Sequence, residues 1–248
     1  FPESLPKGVD LWGFSVAGKS VDFPVVTAEA IVFSPDGIRF RAVFESERAD
    51  ICVPLLGEFN VANVLAVLAM LKARGLSLAE GASRLRHIRP VPGRMEAFGG
   101  GSLPRVVVDY AHTPAALAAA LKSLRRHCRG RLWLVFGCGG ERDRGKRPEM
   151  GAIAAQLADH VIVTDDNPRG EEGGQIVAEI VAGMSFSPVI IRERPEAISH
   201  AVARARPQDV VLVAGKGHED YQEVNGRRLP FSDRVWVRQL VGGETACV

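Results

Sequence analysis

The chain has little cysteine, few aromatic residues and no long apolar run. Only four of its 248 residues are cysteine, at Cys52, Cys128, Cys138 and Cys247. None forms C-x-x-C and none stands at zinc-like spacing from a histidine, so free thiols in a reducing, cytoplasmic setting are expected. Aromatics make up 6%, which leaves the core to aliphatic side chains. The lack of any apolar run of about eighteen residues excludes a membrane span, and no signal peptide is visible. Neither sign of charge dominates: 31 Lys and Arg face 29 Asp and Glu, for a net charge of +2. That balance argues against a nucleic-acid partner. The mild cluster at Arg125, Arg126, Arg129 and Arg131 reads as a cap on a helix end.

What is present is a change of rhythm. Residues 1 to about 55 look β-rich, with runs 25–32 and 38–43 flanking Ser34-Pro35-Asp36-Gly37, a hairpin signal. A helix opens at Asn60 and runs to about Arg74, with Val64, Leu65, Val67, Leu68 and Leu71 on its apolar stripe. A second helix follows Ser77, with Glu80 at capping-box distance. Arg89-Pro90-Val91-Pro92-Gly93-Arg94 is a stiff break, and a domain boundary is expected there, between residues 1–93 and 94–248. Beyond it strands at 105–108, 132–136, 161–164, 189–192 and 210–213 alternate with helices near 115–127, 148–158, 174–184 and 195–205. Strands apolar on both faces and alternating with helices predict an α/β, doubly wound, mostly parallel, Rossmann-like sheet. Asn225-Gly226 marks a late hairpin, and 232–241 a last helix.

Ligands of open α/β sheets bind at the carboxyl ends of the strands. Four loops fall there: 109–114, 137–148, 166–169 and 215–220. Asp166-Asn167-Pro168-Arg169 is the most pointed, because it joins an acid, an amide and a guanidinium. Arg grips a carboxylate in a planar fork while Asp and Asn receive an ammonium, so a zwitterionic ligand suits it. Each loop also has a plain reading. Asn-Pro is a turn signal, Asp109 and Thr113 suit helix caps, His112 suits an ordinary surface, and Gly137–Gly140 and Gly215–Gly217 suit tight turns. Gly137–Gly140 is not a dinucleotide fingerprint, since Arg142 stands where the third Gly belongs. That argues against an NAD(P)-dependent oxidoreductase.

The stretch Gly13-Phe14-Ser15-Val16-Ala17-Gly18-Lys19-Ser20 fits the P-loop spacing. A working P-loop opens a helix whose N-terminal amides face phosphate. Here Pro24 and β-branched residues follow, so the match is read as a coincidence. Lys19→Ala is therefore expected to leave nucleotide affinity unchanged.

Gly57-Glu58-Phe59-Asn60-Val61-Ala62-Asn63, Gly93-Arg94-Met95-Glu96 and the four loops together resemble the Mur ligases of peptidoglycan synthesis, above all the members that add meso-2,6-diaminopimelate. The resemblance covers the chain from about Leu56. It implies the end of a central ATP-binding domain followed by a complete C-terminal domain. The family's P-loop, carbamylated lysine and Mg2+ ligands are expected upstream of Phe1. By the same resemblance Asn60, Asn63, Arg94, Asp109 and His112 lie near the adenine and ribose of ATP, with Arg94 in an interdomain hinge. Arg142, Asp166, Asn167, Pro168, Arg169, Gly215 and Glu219 hold diaminopimelate, and the roles of Lys216 and His218 stay open.

The implied activity is amide formation. ATP activates the D-glutamate γ-carboxylate of UDP-MurNAc-L-Ala-D-Glu as an acyl phosphate, and the diaminopimelate amine attacks it. The implied enzyme is a monomer, and this chain alone is expected not to ligate. Lysine lacks the far carboxylate, and an unpaired buried guanidinium costs roughly 2–5 kcal/mol, so Asn167 and Arg169 favour diaminopimelate. A non-catalytic amino-acid-binding module and a lysine-adding relative are the alternatives.

Overall fold

Four strands come first in the computed structural model, which describes residues 11–17 and 22–242. They are β1 (Gly13–Ser15), β2 (Val25–Ser34), β3 (Gly37–Phe44) and β4 (Glu47–Val53), in the order β1-β2-β3-β4. The Asp36-Gly37 turn closes the β2–β3 hairpin as its sequence predicts. Two helices cover one face of this sheet: α1 (Phe59–Ala73) and α2 (Leu78–Leu85). Ser77 and Glu80 form the expected capping box at the start of α2. The stripe of α1 is rotated from its predicted face. Val61, Val64, Leu65, Leu68 and Ala69 are buried, whereas Val67 is exposed. An apolar helix has no polar face to set its rotation, so packing on the sheet decides it.

The second unit is a six-stranded sheet. It comprises β5 (Glu96–Gly99), β6 (Arg105–Asp109), β7 (Leu132–Phe136), β8 (His160–Val163), β9 (Val189–Ile190) and β10 (Val210–Ala214), in the order β5-β6-β10-β7-β8-β9. All neighbours are parallel except β5 and β6. Successive side chains of a strand point to opposite faces. Val107, Leu134 and Leu212 therefore pack under α3 (Pro114–Arg125), α4 (Lys146–Leu157) and α5 (Gly173–Val181). Val106, Val135 and Val211 pack under α6 (Arg194–Arg204) and α7 (Asp233–Val241). The sheet is doubly wound and mostly parallel, as expected. Two details differ. The antiparallel edge strand β5 has no sequence signal of its own. At the other edge β9 keeps only two residues, both exposed, so it is not apolar-covered on both faces.

The Asn225-Gly226 turn joins β11 (Tyr221–Val224) to β12 (Arg227–Pro230). The Gly18-Lys19-Ser20 part of the P-loop match lies outside the described residues. What precedes it is β1, and β2 rather than a helix begins at Val25. Among the described residues no helix is long and apolar enough to cross a membrane.

The units meet through His127, which is buried. Its Nδ1 lies 2.6 Å from the Ser34 carbonyl and its Nε2 accepts the Gly57 N–H at 3.0 Å. Donating at one nitrogen and accepting at the other requires the neutral ring. Burial pushes its pKa down, against the Ser34 carbonyl. Around it Glu58 N–H donates to Ser123 Oγ at 3.0 Å, Arg126 pairs with Glu58 at 2.7 Å, and Arg105 pairs with Asp36.

Candidate functional site

The central strands β6, β10, β7 and β8 end side by side, and their loops converge. Asp166 follows β8. It is 8% exposed and its carboxylate has no hydrogen bond among the described residues. Burial pushes its carboxyl pKa up, over the opposing charges of Arg194 and Lys216. It lies directly against Gly215, where φ is +118° and a Cβ would collide with Asp166 Oδ2. A glycine is needed at that point for both reasons.

Lys216 is fully buried. Its Nζ donates to Asn167 Oδ1 and to Glu219 Oε2, each at 3.0 Å. Asn167 Nδ2 donates to the same Glu219 oxygen at 2.9 Å, and Asn167 Oδ1 also accepts the Glu223 N–H at 3.0 Å. Both lone pairs of the Asn167 carbonyl are therefore taken. The side chain holds two loops together and has no acceptor left for an ammonium. Burial pushes the Glu219 carboxyl up, but Lys216 and Asn167 outweigh it and hold it below the usual range.

Arg169 is held in a left-handed conformation (φ +53°) by backbone bonds to Glu223 and Asn225 at 2.9 and 2.7 Å. Its Nη1 donates to the Gly140 carbonyl at 2.7 Å, and its Nε lies 3.5 Å from Glu223. Arg142 is exposed, and among the described residues it has no polar partner. The two arginines approach one another over Gly139: a Cβ there would meet Arg169 Nη1 at 2.9 Å and Arg142 Cγ at 3.8 Å. The cluster thus joins two guanidiniums to two carboxylates, the arrangement that receives a zwitterion.

Buried ion pairs fix these loops from below. Arg194 and Asp233 are both fully buried and pair at 2.7 Å, with Arg194 also donating to the Ala214 carbonyl at 3.0 Å. Arg147, fully buried, pairs with Glu171 at 2.9 Å and Glu179 at 2.7 Å and so ties the loop after β7 to that after β8.

A second recess lies between the two units. It has a volume of about 460 Å³, within the usual range for small-molecule sites. Asn60, Asn63, Arg94 and Asp109 line it, with Ala116, Ala119 and Ala120 as an apolar wall. Asp109 accepts the Met95 N–H at 2.8 Å, and burial pushes its carboxyl up. It is not the helix cap; Thr113 caps α3 by accepting the Ala116 N–H at 3.3 Å. His112 does not line the recess. Its Nδ1 lies 2.7 Å from the Tyr110 carbonyl and its ring sits edge-on to Tyr110 at 4.5 Å. Arg94 stacks over Tyr110 at 4.5 Å, and His218 tilts against the same ring at 5.3 Å.

The family described as Mur ligase, glutamate ligase domain, matches residues 93–217. The chain belongs to the Mur ligase family. It is 52% identical over 242 residues to the UDP-N-acetylmuramoyl-L-alanyl-D-glutamate–2,6-diaminopimelate ligase of Alkalilimnicola ehrlichii, covering 97% of this chain and 48% of that protein. It is 49% identical over 245 residues to the Xylella fastidiosa enzyme of the same name, covering 98% and 49%. A solved structure of a ligase with this name superposes with a TM-score of 0.75 at 41% identity, covering 92% of this chain and 47% of its own. The chain spans about half the length of the curated relatives it matches.

In this Mur ligase chain the expected residues fall into two groups. Asp166, Asn167, Pro168, Arg169, Gly215, Glu219 and Arg142 gather at the sheet edge. Asn60, Asn63, Arg94 and Asp109 gather at the recess, with His112 on its flank. Sequence reasoning left Lys216 open and passed over Tyr110, Arg147, Arg194 and His127. Buried arginines and lysines carry no local signal, because their partners lie far away in sequence. Among the described residues no three His, Cys, Asp or Glu side chains gather as a metal site.

Proposed function

We propose that this chain is the C-terminal portion of an ATP-dependent ligase that adds meso-2,6-diaminopimelate to the D-glutamate γ-carboxylate of UDP-MurNAc-L-Ala-D-Glu. The observation that carries it is the sheet-edge cluster, in a chain about half identical to ligases of that name. The far amino-acid end of diaminopimelate sets its carboxylate against Arg142 and Arg169. Its ammonium faces Asp166 and Glu219. Asp166 suits the role because it is buried, charged only at a cost, and has no donor of its own. Holding the far end leaves the near amine free to attack, so the contribution of these residues is orientation.

The recess between the units suits the nucleoside of ATP, which supplies activation of the carboxylate as an acyl phosphate. Asn60 and Asn63 offer amide groups, Asp109 an acceptor, and the alanine wall an apolar face for a base. Arg94 connects the sites. It borders the recess and stacks on Tyr110, which in turn packs on His218 of the amino-acid loop. The same reading makes the whole enzyme a cytoplasmic monomer.

The test uses the complete gene product with ATP, UDP-MurNAc-L-Ala-D-Glu and either meso-diaminopimelate or lysine. Diaminopimelate is expected to be incorporated and lysine rejected. Equal use of lysine would assign the chain to a lysine-adding relative, and no ATP-dependent product with either would sink the ligase reading.

A further inference from the structure

At the opposite end of the parallel sheet, where β7, β8 and β10 begin, lies a cavity of about 520 Å³. Arg125, Arg129, Arg131, Arg204 and Arg206 line it, facing only two carboxylates, Asp159 and Asp209. Asp159 answers Arg125 at 2.8 Å and Arg131 at 3.7 Å. Asp209 is 3% exposed and spends its oxygens on N–H groups: Arg131 N at 2.8 Å, Arg206 N at 2.9 Å and Trp133 Nε1 at 3.3 Å. The guanidiniums of Arg129, Arg204 and Arg206 have no partner among the described residues.

The helix-cap reading accounts for part of this cluster. Arg125 and Arg204 sit in the last turns of α3 and α6, where a cation meets the negative end of the helix dipole. Arg129, Arg131 and Arg206 lie beyond those helices, on the loops that enter β7 and β10, and the dipole falls off within the last turn. The cavity is also built. Asp209 closes its floor because Gly130 has no Cβ, which would collide with Asp209 Oδ1. Trp133 and His160 form a flat wall, their rings stacked at 4.0 Å. Five arginines, all exposed, line a concave site that holds two carboxylates, and such an excess of guanidiniums suits an anion of multiple charge.

We propose that this cavity is a second ligand site, separate from the amino-acid and nucleoside sites, and that it binds a compact oligophosphate, either inorganic or carried by a nucleotide. Phosphate oxygens match the forked donors of Arg129, Arg204 and Arg206, and the volume fits a small molecule rather than a polymer groove. The site stands independently of the proposed ligase reaction.

The experiment is calorimetric titration of the 248-residue chain with inorganic tripolyphosphate and, separately, with UTP, at low and moderate salt. Tripolyphosphate is expected to bind, with affinity falling as salt rises. The triple variant Arg129→Gln, Arg204→Gln, Arg206→Gln is expected to lose roughly tenfold or more, since three charge-assisted contacts go. A control removes three exposed arginines elsewhere, Arg74→Gln, Arg84→Gln and Arg86→Gln, and is expected to change affinity by less than about twofold. Arg94→Ala is expected to leave tripolyphosphate affinity intact. Equal affinity for UTP assigns the site to phosphate alone, and tighter UTP binding that the triple variant loses adds a base on the Trp133 wall; either supports it, whereas tighter UTP binding that survives the triple variant belongs to the nucleoside recess and counts against the proposal. The proposal is overturned by no binding at millimolar tripolyphosphate, by an equal loss in the control, or by a loss confined to Arg94→Ala.

Discussion

A buried carboxylate with no hydrogen bond, such as Asp166, costs the folded chain energy until a cation answers it. Asp166→Asn should therefore leave the thermal midpoint unchanged or raise it, while weakening diaminopimelate binding by about 30-fold or more, the low end of what a broken buried charge pair costs. Calorimetry and a melting curve on one preparation check both halves, and a variant that loses stability and keeps affinity would contradict the role. Lys216 presents the opposite case. It is fully buried and neutralises Glu219 at 3.0 Å beside Asp166. Lys216→Met should cost about 3–5 kcal/mol, because it leaves buried carboxylates unpaired; the urea midpoint reads this directly. The Arg169 guanidinium is anchored to the neighbouring loop at the Gly140 carbonyl, whereas Arg142 has no polar partner among the described residues. Arg142→Ala should thus weaken diaminopimelate without moving the melting temperature, whereas Arg169→Ala should lower both.

Among the elements, the link between the units and the amino-acid loop runs through glycine. Gly93 has φ +68°, its N–H donates to Glu96 Oε2 at 2.6 Å, and a Cβ there would collide with the backbone of Gly217 and His218. Glu96 in turn holds Arg234 of α7 at 2.7 Å. Gly93→Ala meets both a positive φ and a backbone clash, and should destabilise by about 1–3 kcal/mol. Differential scanning calorimetry would show a lowered midpoint, and an unchanged one would mean that this segment relaxes freely. The elements were unevenly legible. The strands β7 and β10 are unbroken apolar runs and β6 carries one between Arg105 and Asp109, which a sheet covered on both faces demands. The strand β5 is Glu96-Ala97-Phe98-Gly99, too short and too mixed to carry a period, and it exists because the open edge of β6 accepts it.

At the scale of the whole molecule, His127 is a titratable joint. Its folded pKa is lowered, so below about pH 6.5 the unfolded chain binds a proton that the folded one resists. Stability rises with pH wherever the unfolded state binds more protons. The His127 contribution is thus fully present above the unfolded pKa and is lost as pH falls through the folded value. Protonation also turns Nε2 into a donor facing the Gly57 N–H, which breaks the joint. Denaturation series at pH 7.5, 6.5 and 5.5 should show falling stability in the wild-type chain and a shallower slope in His127→Ala; parallel slopes would remove His127 as the cause.

The α/β alternation, the loops at the strand ends and the residue types suited to a zwitterion could all be read from the chain, because apolar period and turn chemistry are local. The tertiary structure alone decided which charges are spent and which are free. Asn167 looks like a ligand group in sequence, yet Lys216 and Glu223 saturate its carbonyl. Arg142 looks like any exposed arginine, yet it stands beside Arg169 with no polar partner among the described residues. The arginines near residue 129 look like a helix cap until Arg204 and Arg206 close on them across β7 and β10. Pairing is a property of distance in space, and electrostatic energy follows that distance rather than separation along the chain.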